Sequence, residues 1–119
     1  MRSGVIYGLS PSHFSPLTSI LRMIKRFVKL TFRPEATQAF LDEVFAPSKE
    51  RIRAFPGCQH MELLRHTELP NVMFTFSIWD SEEALDNYRQ SDLFRDTWAK
   101  TKALFAEKAE AWSMENINE

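Results

Sequence analysis

The chain has 119 residues, of which 44% are hydrophobic and 26% charged, and it carries a formal net charge of -1. That length builds one hydrophobic core and hardly a second, and the composition is that of a folded globular domain rather than a disordered or fibrous one. The near-neutral charge, with Lys29, Arg33, Arg51, Arg53, Arg89 and Arg95 interspersed among acids, leaves no basic footprint for nucleic acid, and no apolar run approaches the roughly 20 residues that span a bilayer.

The first stretch, MRSGVIYGLSPSHFSPLTSILR, is broken by Ser, His and Pro and makes a poor secretory signal. Met23 stands directly before the first convincing strand, so residues 1–22 are expected to be an extension, upstream of the natural start, and 23–119 the domain. From Ile24 to Phe32 the residues alternate, with Arg26, Val28, Leu30 and Phe32 on one face and Lys25, Phe27, Lys29 and Thr31 on the other. Pro34 and Glu35 then open a helix, the proline with its preset φ and the glutamate at the positive end of the dipole. Phe40, Val44 and Phe45 carry its apolar face, which Ile52 and Phe55 continue beyond Pro47, where the missing donor is expected to kink or break the helix. Pro56 and Gly57 end it.

Cys58 to Arg65 and Val72 to Trp79 read as strands two and three, joined by the hairpin segment HTELPN. Asp80 with Glu83 suggests a capping-box start for EEALDNYR, and Ser91 caps DLFRDTWAKTKALF, whose Phe94, Trp98, Thr101 and Phe105 share a helical face. Two helical pieces thus meet near Gln90. Ala111 to Ile117, with Trp112 and Met114 alternating with polar partners, is expected to be the last strand.

The element order β-α-β-β-α-β predicts an α+β, ferredoxin-like domain: a four-stranded antiparallel sheet with both helical segments on one face, because right-handed crossovers carry them there. The bare sheet face would expose aromatic and aliphatic residues. Closed two-fold pairing into a homodimer is the expected remedy. The single Cys58 can make no intramolecular disulfide and has no metal-ligand partners at zinc spacing, which fits a reducing, cytoplasmic setting.

The runs FPGCQHMELLRH (Phe55 to His66) and FSIWDSEEALDNYRQSDLF (Phe76 to Phe94) resemble the antibiotic-biosynthesis-monooxygenase family, most specifically in Pro56-Gly57-Cys58, Trp79-Asp80-Ser81 with Glu83-Ala84-Leu85, and Ser91 with Phe94. The similarity extends from Met23 to about Ile117. It implies a dimeric α/β barrel with a pocket between each sheet and its helices, often used for cofactor-free oxygenation of quinol-like aromatics by molecular oxygen. The expected cofactors are therefore none, and the expected metal ligands none. In keeping with this, the sequence has no Gly-rich phosphate loop and no His-Glu-x-x-His.

A phenol reacts with oxygen once ionised, because the electron-rich anion is itself the reductant, so such a site wants aromatic walls and a base. Trp79 matches the family's recurrent tryptophan and could stack on a flat substrate or pack in the core; Phe94 and Trp98 are core residues or a pocket wall. By alternation His60 and His66 share a face of strand two with Cys58, Glu62 and Leu64, and either could be a base or a structural histidine. Tyr88 falls where many relatives carry a histidine, and offers a hydrogen-bond donor instead. Arg65 could bind an oxyanion or form a cross-strand ion pair. Leu93 occupies the place of a second family histidine. The positions matching the asparagine and iron-ligating histidine of haem-degrading relatives are Val28 and Trp98, which disfavours haem degradation. Three readings follow: a cofactor-independent monooxygenase of small phenols, a non-catalytic ligand-binding or stress-response barrel, and an isomerase of small carbonyl compounds.

Overall fold

A computed structural model describes residues 22–117; apart from Arg22, the expected extension over residues 1–22 lies outside these. Strand β1 (Ile24–Phe32) is central, antiparallel to β3 (Val72–Trp79) on one side and to β4 (Phe105–Met114) on the other. Strand β2 (Cys58–Arg65) pairs with β3, giving the order β2-β3-β1-β4. This is the expected four-stranded antiparallel sheet of an α+β, ferredoxin-like fold.

Helix α1 crosses from β1 to β2 in four consecutive pieces: a 3-10 turn at Pro34–Ala36, an α-turn at Thr37–Ala39, a π-helical stretch at Phe40–Phe45 and an α-helical stretch at Ala46–Arg53. Pro47 therefore does not break the helix. The Ala46 N–H reaches back five residues to the Leu41 carbonyl, and this wider turn lets the proline ring sit in the first turn of the following α-helical stretch, where its missing donor costs least. Gly57 ends the crossover at a φ of +92°, and a Cβ there would lie 2.5 Å from the Ala84 Cβ. Only glycine permits both that backbone and that close approach.

Helix α2 (Glu82–Arg89) is capped by Ser81 rather than by an Asp80 capping box: the Ser81 Oγ accepts from the Ala84 N–H at 3.1 Å. Helix α3 (Asp92–Lys102) is capped as expected by Ser91, whose Oγ accepts from the Phe94 N–H at 3.1 Å. It ends at Lys102, so Phe105 opens the last strand instead of closing a helix, and the strand expected at Ala111 to Ile117 begins six residues earlier.

The even-numbered residues of β1 face the helices. Leu30 and Phe32 meet Phe40 and Val44 of α1 and Met73 of β3 in one buried cluster. At the other end Ile24 and Trp79 pack against Leu85 of α2. Among the described residues no helix covers the opposite sheet face. There Phe27 stacks on Phe76 with ring centroids 4.8 Å apart, Trp112 lies across from Phe27, and Leu64, Trp112 and Met114 stay 41–51% exposed.

Candidate functional site

Between the helix face of the sheet and the three helices lies a cavity of about 280 Å³. That is near the lower bound of ordinary small-molecule sites, which run from roughly 300 to 1,000 Å³, and suits a ligand of one or two rings. Its walls take residues from both buried clusters, among them Leu30, Phe40, Val44, Trp79 and Leu85.

One wall is a continuous run of rings. Trp79 stacks on Tyr88 at 4.8 Å, Tyr88 meets Phe94 edge-on at 5.2 Å, and Phe94 stacks on Trp98 at 5.8 Å. The two serine caps make this possible, since they start α2 and α3 at the points that carry Tyr88, Phe94 and Trp98 over the sheet. Trp79 is 1% exposed, and its indole Nε1 donates to the Ser77 Oγ at 2.9 Å, so its ring is fixed in position and satisfied. Burial, and after it the neighbouring Cys58, pushes the Tyr88 phenol well above its ordinary value. Tyr88 is thus a neutral donor and no base at physiological pH. Burial likewise raises the Cys58 thiol, which opposes a nucleophilic role.

Four residues singled out from sequence therefore meet in one cavity: Trp79, Tyr88, Phe94 and Trp98. The two histidines and Arg65 are elsewhere. A register shift between Cys58 and His60 places Cys58 opposite Trp79 and His60 opposite Ile78, so the two do not share a face as simple alternation suggests. His60 lies on the helix-free face, against the Phe76 ring at 5.7 Å and paired with the Glu62 Oε1 at 2.7 Å. His66 closes the hairpin, its Nδ1 accepting from the Glu68 and Leu69 N–H groups at 3.0 Å each. Arg65 is exposed at the end of β2 and does not line the cavity.

Two charged residues do line it that sequence reasoning passed over, Arg26 of β1 and Arg89 of α2. Arg26 was detectable in principle. It is the lone charge in the alternating set Arg26, Val28, Leu30 and Phe32, on the face that builds the core. Val28 and Trp98, the positions compared above with the asparagine and histidine of haem-degrading proteins, also line the cavity, and among the described residues no histidine or cysteine does. Among the described residues no cluster of three or more His, Cys, Asp or Glu could hold a metal ion.

A family model described as antibiotic biosynthesis monooxygenase matches residues 23–100, more than half of the chain. Among solved structures, a conserved protein from Methanosarcina mazei superposes with a TM-score of 0.78 at 19% identity, covering 82% of this chain and 96% of the other. One described as an antibiotic biosynthesis monooxygenase gives 0.74 at 19% identity, over 79% and 98% of the two chains. A Mycobacterium tuberculosis protein gives 0.73 at 21% identity, over 82% and 97%. Curated proteins gave no match.

Proposed function

Because the chain belongs to the antibiotic biosynthesis monooxygenase family, we propose that its cavity binds a small phenol or hydroquinone and oxygenates it with molecular oxygen, without a resident cofactor. The observation that carries this reading is the run of stacked rings Trp79, Tyr88, Phe94 and Trp98 along one wall of a cavity of about 280 Å³. Such a wall grips a flat, electron-rich ring by offset stacking and shields it from water, which favours reaction of its anion. In the reaction one oxygen atom joins the ring, the other leaves as water, and the ring supplies the electrons and ends as a quinone. Trp79 orients the ring and Tyr88 donates a hydrogen bond to the oxygen that becomes negative. The protein works in the cytoplasm as a homodimer joined through the helix-free face of its sheet.

Oxygen-electrode assays on a panel of phenols and hydroquinones, with metal-free protein, test the reading. Uptake is expected for at least one mono- or bicyclic hydroquinone, with about tenfold or greater loss on Trp79→Phe or Phe94→Ala, a loss equal to about 1.4 kcal/mol of transition-state stabilisation. His60→Ala should leave uptake unchanged. Saturable binding of these compounds without any oxygen uptake would make the protein a binder and not an oxygenase.

A further inference from the structure

The cavity's polar side chains fall into two groups. Three of its hydroxyls are engaged within the chain: the Ser48 Oγ donates to the Val44 carbonyl at 2.6 Å, the Thr101 Oγ1 donates to the Thr97 carbonyl at 2.7 Å, and the Ser77 Oγ accepts from Trp79. Its charges are all of one sign. Arg26 and Arg89 line the cavity and, among the described residues, no aspartate or glutamate does.

Arg26 stands on the central strand, opposite Ser77 of β3 and Ser113 of β4, so small side chains flank it on both sides. Its Nη1 donates to the Ser113 Oγ at 2.8 Å. Arg89, at the last turn of α2, donates from Nη2 to the Asp86 Oδ1 at 2.7 Å. Each of these bonds uses one of the five N–H donors a guanidinium carries. Asp86 is paired with Arg89 and also acts on Arg26. Burial, and then the repulsion of Arg89, hold Arg26 below the ordinary guanidinium value, with Asp86 opposing. Arg26 nevertheless stays charged at any physiological pH. Tyr88 and Cys58 nearby are neutral, while the charged Arg53 and Asp80 act on Cys58. An anion placed between the two guanidiniums would relieve their repulsion and gain charge-assisted hydrogen bonds.

The same end of the cavity poses a chemical problem: an ionised phenol is needed, but among the described residues no histidine or carboxylate lines the walls and Tyr88 cannot serve as base. Resting on the reading of this cavity as a small-aromatic site, we propose that Arg26 and Arg89 form an oxyanion subsite that takes a phenolic ligand as its phenolate. The ligand's O–H bond breaks, the electron pair stays on oxygen, and the proton goes to solvent water rather than to a side chain. Electrostatic attraction by the arginine pair then does the work of the missing base, and it selects ionisable phenols over equally flat neutral rings.

An anaerobic titration with 4-nitrophenol tests this, because its neutral and ionised forms absorb at different wavelengths. In the presence of saturating protein its apparent pKa should fall by about one pH unit or more, a tenfold preference for the phenolate worth about 1.4 kcal/mol. Its methyl ether, which cannot ionise, should bind about tenfold more weakly or worse. Arg26→Gln should abolish the shift, Arg26→Lys should retain part of it, and Arg89→Gln should reduce it. Circular dichroism checks that each variant is folded; if Arg26→Gln is not, Arg89→Gln, which alters a partly exposed side chain, decides the matter. An unshifted pKa in the native protein, no saturable binding, equal affinity for the methyl ether, or a shift that survives both glutamine variants would overturn the proposal. The titration needs no turnover. A shift without oxygen uptake on the hydroquinone panel therefore leaves this proposal standing and removes the oxygenase reading, whereas uptake without a shift does the reverse.

Discussion

Tyr88 shows how one environment sets both a function and a stability limit. Its ring is enclosed by Phe55, Trp79 and Phe94, and that enclosure raises its pKa because the phenolate would lose its hydration. In the unfolded chain the phenol titrates near 10. Between that value and the higher folded one, the folded state holds a proton that the unfolded state has lost, so stability falls as pH rises through this window. Below pH 10 the contribution is fully present. Urea unfolding midpoints of the native protein should therefore be level from about pH 7 to 9 and decline above pH 10, and Tyr88→Phe, which cannot ionise, should flatten that decline. An equally steep alkaline decline in Tyr88→Phe would assign it to other groups. The position illustrates what sequence shows and hides: Tyr88 was legible as a donor in place of a histidine, but its neutrality depends on three rings brought from the turn after α1, from β3 and from α3.

At the scale of elements, the cavity depends on where two short helices begin. Ser81 and Ser91 each satisfy a backbone N–H that would otherwise have no partner, and each is followed by the residues that form the aromatic wall. Ser81→Ala and Ser91→Ala should each lower stability by about 1 kcal/mol, read as a shift in urea midpoint at unchanged slope; midpoints within error of the native protein would show the caps to be dispensable. The strands β1, β2 and β3 were readable from sequence at their true limits, β1 from its alternation and β2 and β3 from apolar and β-branched runs bounded by turn residues. Strand β4 was not. Its cavity-facing residues are the small Ala109 and Ala111, its surface is exposed along most of its length, and Phe105 falls in helical step with Phe94, Trp98 and Thr101. The placement of His60 was hidden for another reason. The irregularity after Cys58 belongs to the pairing of β2 with β3, and pairing leaves no mark on the periodicity of one strand.

For the whole molecule the helix-free sheet face is what a single chain leaves uncovered among the described residues, and the residues on it are arranged in rows. Trp112, Phe27, Phe76 and Glu62 run across β4, β1, β3 and β2 at one level, and Met114, Lys25, Ile78 and His60 at the next. Aromatic groups at the middle with Glu62, Lys25 and His60 around them make the apolar centre and polar border typical of protein interfaces. This supports the proposed homodimer, in which two such faces pack together and remove Trp112, Leu64 and Met114 from water. Sedimentation equilibrium should then report a dimer, and Trp112→Lys, which places a charge on the edge strand directly opposite Phe27, should give a monomer with native circular dichroism. Because Trp112 is 41% exposed in the single chain, that change removes little from the monomer's own core, so loss of pairing and loss of folding are separable. A dimer that persists in Trp112→Lys at micromolar concentration would place the contact on another surface. Since the cavity lies on the other side of the sheet, the monomeric variant should still bind phenols there, and a loss of binding on dissociation would show that the partner completes the site.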